Sequence, residues 1–551
     1  MSTSITTQFP ETLPASILAG AQKLSLKQAG HIRHIYNLAT TRPGEWPRMS
    51  SMIPGQEYFD ALRYQLGHMT YAMGAAHYHR LPALRSVFKS LFESLISRML
   101  EKDVWTFWYN TSQSGKLSDP QIKELLKPRA DPVLTENIMY SGHLFMMSAL
   151  HAMLFDDDKY DEPDSFVFNW EPLFWGMGSE RFSYNRTSLQ KAIMDEFERE
   201  KWIGVCCEPN CVFIICNQFP IIGIRYTDVR NGTNIVDGVI ENYTAAWKGK
   251  DGFVQDDGLF IRMMRSKHGD RVLEQSVSFT AWACAFMNAW NSEQVQALYP
   301  KMALGFLSKI PGENRVNVHG PGIGQAIRSL VREQGADPDS PETLRKAREI
   351  AGPPETGRWR AEFGYICQWV SEVGDQETLD GLMRHAEMFL NPTWEKGGLF
   401  YERSDNQRDV DGNWTGMDSF SSNAGIPYGS LNVRNGQKTM WEKPWKRGHS
   451  TYRPYIDGVD LRSGVDFLRG EWDANVSAMI LTARTWDGST KTISPSFHNL
   501  PEGPYGVYAN GKLTEVKAVK LGESVAVPIE VGAEEVNLVL LAQRNHNIIA
   551  K

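Results

Sequence analysis

Leu84-Arg-Ser-Val-Phe-Lys-Ser-Leu-Phe-Glu-Ser-Leu-Ile-Ser-Arg-Met99 decides the fold class of this chain. Leu84, Val87, Phe88, Leu91, Phe92, Leu95, Ile96 and Met99 recur at the i, i+3, i+4, i+7 spacing of one helical face, and the residues between them are polar. Working outward, Leu62, Leu66, Met69, Met73 and Ala76 share a face of a preceding helix, while Tyr64 and Tyr71 lie on another. Similar periodicity predicts helices over 138–154, 189–202, 277–290, 344–351, 360–373 and 379–389, separated by Pro- and Gly-bearing connections. Beyond Trp445 the period changes. The dipeptides Asp487-Gly488 and Asn510-Gly511 predict hairpin turns, beside β-prone runs at 476–482, 513–519, 525–531 and 535–541. The expected fold is therefore mainly α: serial helical hairpins followed by a small all-β, sandwich-like domain.

Composition sets the outer limits. With 551 residues, 42% hydrophobic and 22% charged, the chain is an ordinary globular protein of more than one unit. A formal net charge of −7 provides no basic footprint for nucleic acid. No run of eighteen apolar residues predicts a membrane span. The start, Met1-Ser-Thr-Ser-Ile-Thr-Thr7, lacks an apolar h-region, so a cytoplasmic protein with reduced thiols is expected. Aromatic residues reach 11%, enough to wall a cavity for hydrocarbon or for sugar rings.

Four of the six cysteines fall in Cys206-Cys-Glu-Pro-Asn-Cys-Val-Phe-Ile-Ile-Cys-Asn217. Spacings of one, four and five residues do not make the paired ligand sets of zinc, so the stretch points to proton chemistry in an apolar wall, or to cysteines that simply pack a core. Asp157, Asp158 and Asp161 spell DDxxD, but no second metal motif follows, and Asp409, Asp411 and Asn413 match a calcium loop only loosely. No metal is expected. A second cluster, Glu136-Asn-Ile-Met-Tyr-Ser-Gly-His143, puts Met139 and His143 on one helical face, pairing a polarisable surface with a proton carrier.

Thr135-Glu-Asn-Ile-Met-Tyr-Ser-Gly-His-Leu144 and Val205-Cys-Cys-Glu-Pro-Asn-Cys-Val-Phe-Ile-Ile-Cys-Asn217 resemble the two signature stretches of the linalool dehydratase/isomerase family, with weaker similarity at Phe279-Thr-Ala-Trp282. The resemblance covers roughly residues 30–445. It implies an (α/α)6 barrel around a cavity for a terpenoid alcohol or alkene, with no cofactor. By that resemblance His143, Cys207, Cys216, Glu208 and Tyr64 are catalytic, and Met139, Tyr36, Asn217, Phe219 and Trp282 bind substrate. Where the family has an aspartate, a tyrosine and a cysteine near its start, this chain has His34, Ile35, Tyr36 and Asn37.

The expected domains are an N-terminal extension (1–29), the helical catalytic domain (30–445) and the β domain (446–551), the last supporting the barrel or building a homo-oligomer contact. The expected chemistry is dehydration, isomerisation or cyclisation of a small hydrophobic substrate through a cation-like intermediate. A carbohydrate hydrolase or lyase on the same architecture, and a noncatalytic binding protein, are the alternatives.

Overall fold

The computed structural model describes residues 9–49, 62–353, 362–418 and 421–543. Helices predominate, with short strands between them and a run of longer strands at the end. Six helices form the interior: α1 (Leu62–His79), α2 (Ile138–Phe155), α3 (Gln218–Asn231), α4 (Ser278–Met287), α5 (Phe363–Val373) and α6 (Ser422–Leu431). Each packs on the next in that order, and α6 packs back on α1.

Among the described residues, eight further long helices lie outside this set; two of them, Pro321–Gln334 and Pro341–Ala351, pack on each other. Arg85–Met99 packs on α1 and α2, Arg186–Arg199 on α2 and α3, Ile235–Lys248 on α3, Ser292–Ala303 on α4 and α5, Gln376–Phe389 on α5 and α6, and Leu26–Ala39 on α6. The periodic face of Arg85–Met99 is buried as its sequence predicts, with Lys89 and Glu93 half-buried and Ser90 and Ser97 exposed.

An inner helix must satisfy neighbours on two sides, so it is buried almost all round. Every residue of α2 is buried, as is every residue of α5. That accounts for the composition of α2, which is long and apolar enough to cross a membrane by length and composition yet lies wholly inside the protein; a helix apolar on all sides suits a core. In α1 the face of Leu62, Leu66 and Met69 and the separate face of Tyr64 and Tyr71 are both buried for the same reason.

Short antiparallel pairs interrupt the helices: Phe166–Trp170 with Glu180–Tyr184, Leu307–Ile310 with Arg315–Val318, and Pro392–Glu395 with Gly398–Tyr401. Strands of four or five residues are too short for a period of two to stand out from sequence. The Asp409 stretch is a turn in which the Asp409 carboxylate accepts the backbone N–H groups of Asp411 and Asn413 at 3.0 and 2.8 Å.

Toward the end of the chain, β1 (Val465–Asp473), β2 (Ala478–Thr485), β3 (Gly503–Ala509), β4 (Lys512–Val519) and β5 (Val536–Ala542) form one antiparallel sheet in the order β1-β2-β5-β3-β4. Asn510 and Gly511 both take positive φ, 49° and 80°, and turn β3 into β4 as an Asn-Gly hairpin should. Asp487-Gly488 does not join paired strands. Thr485 ends β2, whose partners are β1 and β5, and the next strand, Lys491–Ile493, pairs with Ile529–Val531.

These strands share one continuous hydrophobic core with the helices, and near the start of the chain Leu13, Ile17 and Ala21 pack on Ala478, Ile480 and Val539 of the sheet. A buried ion pair also crosses between the two parts. Arg33, 2% exposed, meets Asp466 of β1 at 2.6 Å and donates to the carbonyls of Leu461 and Val465.

Candidate functional site

The two cysteine- and histidine-bearing segments are joined through their backbones. Asn137, in the left-handed region at φ 56°, precedes α2, and the N–H groups of Asn137 and Ile138 donate to the carbonyls of Cys207 and Cys206 at 3.1 and 3.2 Å. Amides at a helix start need partners outside the helix, and here the cysteine segment supplies them. The segment itself folds tightly: Cys207 N–H donates to Cys211 O at 2.8 Å and Cys211 N–H to Glu208 O at 2.9 Å. Cys211–Val212 then pairs with Met264 and Arg265, and a single 3-10 turn, Ile215–Asn217, leads into α3.

Adjacent cysteines diverge. Cys206 Sγ turns to Ser266 Oγ at 3.6 Å, whereas Cys207 Sγ lies 3.5 Å from Glu208 Oε1 and within hydrogen-bonding reach of Cys216. Burial raises both thiols, Cys207 well above its ordinary value and Cys216 less so, because the S–H of Cys207 supports a negative charge on Cys216. Arg63, Glu208 and Tyr64 stand close enough to act electrostatically on the pair. The Arg63 guanidinium sits 4.5 Å from the Tyr64 ring centre and 3.7 Å from that of Phe107.

His143 lies on the other side of Tyr64, with ring centres 6.1 Å apart. Its Nδ1 is 2.8 Å from the Tyr71 hydroxyl, and its Nε2 is buried with no hydrogen-bond partner among the described residues. Burial, aided by His68 and Arg63, holds the ring well below the usual imidazole range and therefore neutral. Phe219, at the start of α3, approaches the ring to 4.2 Å and stacks on Tyr71. Close approach of α1 to α2 needs a glycine here, since a Cβ on Gly67 would stand 2.6 Å from His143 Nδ1.

Trp282 of α4 meets Tyr64 edge-on at 5.7 Å and stacks on Tyr365 of α5 at 4.1 Å with planes 8° apart. Five inner helices thus send side chains to one aromatic cluster, α1 to α5 through Tyr64, His143, Phe219, Trp282 and Tyr365. Met139 is buried one turn before His143.

Two expected substrate contacts are corrected. Tyr36 is on the outer helix Leu26–Ala39, its ring under Arg33, which is held by Asp466, so it faces the strand region; the neighbouring His34 stacks on Phe400. Asn217 is committed to its own loop. Its Oδ1 accepts from Val205 N–H at 2.8 Å and its Nδ2 donates to Phe213 O at 2.9 Å, against Gly204, where a Cβ would lie 2.6 Å from that nitrogen and φ is +120°. The asparagine fastens the cysteine segment, with both amide hydrogens donated to its own loop.

His68, Tyr71, Tyr365 and Gln368 join the cluster beyond the residues that sequence reasoning assigns to it. The signal for two of them is in the chain, because Tyr64, His68 and Tyr71 fall at i, i+4, i+7 on α1. Tyr365 and Gln368 come from a distant helix, and nothing local marks them.

Elsewhere, Glu93, His151 and Asp157 place ligand atoms within 4.8 Å of one another, but Lys89 and Lys159 already neutralise the carboxylates at 2.6 and 3.3 Å. In the DDxxD stretch, Asp158 pairs with Arg186, Arg230 and Arg447, and Asp161 with Arg186. Cationic side chains stand where a magnesium diphosphate would have to bind. A cleft of about 810 Å³ opens at another part of the fold, lined by His31, Arg80, Asp375, Arg384, Tyr401 and Arg434 among others.

A family model described as linalool dehydratase/isomerase matches residues 63–407. Among solved structures, the chain is similar to Dfg5 from Chaetomium thermophilum in complex with glucosamine, with 13% identity over 77% of this chain and 92% of that one and a TM-score of 0.37. An unsaturated glucuronyl hydrolase specific for heparin is 10% identical over 76% and 98%, with a TM-score of 0.34. Endoglucanase CelQ from Clostridium thermocellum, complexed with cellotriose, is 11% identical over 96% and 94%, with a TM-score of 0.30.

Proposed function

The chain belongs to the linalool dehydratase/isomerase family, a family of lyase and isomerase enzymes, and from that premise we propose that it dehydrates, isomerises or cyclises a terpenoid or prenylated alcohol or alkene without a cofactor. The carrying observation is the pairing of a buried His143 Nε2, without a hydrogen-bond partner among the described residues, with a thiol and carboxylate group at one aromatic cluster. An acid and a base beside one apolar aromatic cluster are what proton-driven cation chemistry needs.

In this reading the substrate hydroxyl takes a proton from the Cys216 thiol. The S–H of Cys207 turns from Glu208 toward the new thiolate, and the C–O bond breaks to release water. The allylic cation left behind is held by the π faces of Tyr64, Phe219 and Trp282 while bulk water is excluded. His143 Nε2 then removes a proton from a neighbouring carbon to form the alkene, and the imidazolium returns that proton to the thiolate. Alternatively, before that deprotonation, water adds at the other end of the allyl unit and gives a proton to the Cys216 thiolate to form the isomer, or an internal double bond attacks the cation and His143 Nε2 removes a proton from the resulting cyclic cation and passes it to the thiolate.

The closed packing order of α1 to α6, each with an outer helix, supports an (α/α)6 barrel over residues 30–445 as the frame of this site, with the strands of 446–551 as its supporting domain. A cytoplasmic enzyme, in one or more copies, fits the reduced thiols on which the scheme depends.

The test is incubation of the purified protein with acyclic terpenoid alcohols, linalool included, in EDTA, followed by gas chromatography of the products. Dehydrated, isomerised or cyclic product, abolished by His143→Ala in protein that still folds, is the expected result. Absence of conversion across the panel, or activity that disappears with EDTA and returns with magnesium, would overturn the proposal.

A further inference from the structure

Among the described residues His68 has the most aromatic neighbours of any side chain in the cluster, with Tyr71, His143, Phe219, Trp282, Phe286 and Tyr365 all at ring-centre distances between 5.3 and 6.0 Å. It is fully buried, and burial lowers its pKa to about 3, so the ring is neutral. Two histidines 5.7 Å apart therefore compete for the proton-transfer role, and their hydrogen bonds distinguish them.

The Trp282 indole N–H donates to His68 Nε2 at 2.8 Å, and the Gln368 amide lies 2.7 Å from His68 Nδ1. An indole can only donate, so Nε2 is the bare nitrogen and the ring hydrogen sits on Nδ1. Nδ1–H then needs an acceptor. Gln368 supplies one when its amide is turned so that Oε1, otherwise buried without a partner among the described residues, faces the ring. Both nitrogens of His68 are thus committed to protein, whereas His143 keeps Nε2 open.

What His68 holds is an indole whose rotation matters. Trp282 lies flat on Tyr365, and a flat stack resists tilting but not rotation within its own plane. The hydrogen bond from Nε1 stops that rotation. We infer that His68 is a positioning residue that fixes the in-plane orientation of Trp282, so that the π wall beside Tyr64 and His143 meets the developing cation in one geometry. The inference rests on the cation chemistry proposed above and adds to it the residue that orients the stabilising wall.

Three substitutions separate the two hydrogen bonds. His68→Gln places an amide oxygen near the former Nε2 and keeps an acceptor for Trp282; His68→Asn reaches only the Gln368 side; His68→Phe fills the space with neither. We expect kcat within about threefold of the parent for His68→Gln, and a loss of roughly tenfold or more for His68→Asn and His68→Phe with KM little changed, since only transition-state stabilisation is lost. In a Trp282→Phe background, His68→Phe should lower kcat no further.

A second readout needs no turnover. The indole N–H resonance that vanishes in Trp282→Phe should shift in His68→Phe and in His68→Asn and stay in place in His68→Gln. Full kcat in His68→Phe, a further loss in the Trp282→Phe background, or an unmoved resonance in His68→Asn each overturns the inference. If His68→Phe does not fold, His68→Asn carries the test. A parent protein that converts no terpenoid alcohol sinks the chemistry instead, while the resonance still reports whether His68 holds Trp282.

Discussion

The hydroxyl of Tyr71 lies 2.8 Å from Nδ1 of His143, and the opposite nitrogen of the same ring has no partner among the described residues. For Nε2 to act as the base proposed above, Nδ1 must carry the ring hydrogen and donate it to the Tyr71 hydroxyl oxygen, which leaves Nε2 with its lone pair. Tyr71→Phe keeps the ring stack on Phe219 and removes only this acceptor. We expect turnover to fall about tenfold to a hundredfold with little change in KM, at a stability cost of about 1–3 kcal/mol for the partner left unpaired. Steady-state kinetics with a denaturant titration checks both; unchanged kcat would show that the hydroxyl is only packing.

The cysteines should separate by role. Cys216→Ala and Cys207→Ala are expected to lower turnover by at least about a hundredfold, the lower range of general acid/base effects. Cys211→Ala should leave turnover unchanged, because Cys211 belongs to the two-residue strand opposite Arg265 and the reacting pair is Cys207 and Cys216. Equal losses in all three, tracking loss of folded protein, would mark the segment as core alone.

Glycine contacts provide a paired stability test. Gly67→Ala drives a methyl group into His143 Nδ1, so we expect about 1–3 kcal/mol of destabilisation and loss of most activity. Gly238 lies exposed in the outer helix Ile235–Lys248, and a methyl group added there would meet nothing within 4 Å, so Gly238→Ala should stabilise by about 0.5–1 kcal/mol and leave kinetics alone. Thermal melts of both variants decide it, and stabilisation by Gly67→Ala would contradict the close approach of α1 and α2.

Acid should unfold the protein through its buried histidines. Burial lowers His34, His68, His77 and His319 from 6.5 to about 3, and His31 to about 4. Between those values and 6.5 the unfolded chain binds protons that the folded chain refuses, so stability is complete above pH 6.5 and is lost as pH falls through that window. Melting temperature measured at constant ionic strength should be level just above pH 6.5 and fall steadily below it; a level profile down to about pH 4 would refute the neutral buried state.

Much of the molecule is legible in the chain because its information is local. The apolar period of Leu84 to Met99, the Asn510-Gly511 turn and the clustering of Cys207, Glu208 and Cys216 each depend on spacing within a few residues, and spacing sets which side chains share a face. Sequence also brings out His143, through the unusual company it keeps on α2. Tyr36 and Asn217 mislead because a residue's type does not reveal where folding will commit it: the ring of Tyr36 lies under Arg33 on an outer helix, and the amide of Asn217 bonds the Val205 and Phe213 backbone. The grip of His68 on Trp282, separated by 214 positions, and the stacking of Trp282 on Tyr365 were decided by tertiary structure, since they arise where α1, α4 and α5 converge and no short-range pattern encodes which helices will be neighbours. Local chemistry is written in the sequence, whereas the partners that set tautomer, orientation and charge at the site come from packing distant helices around one centre.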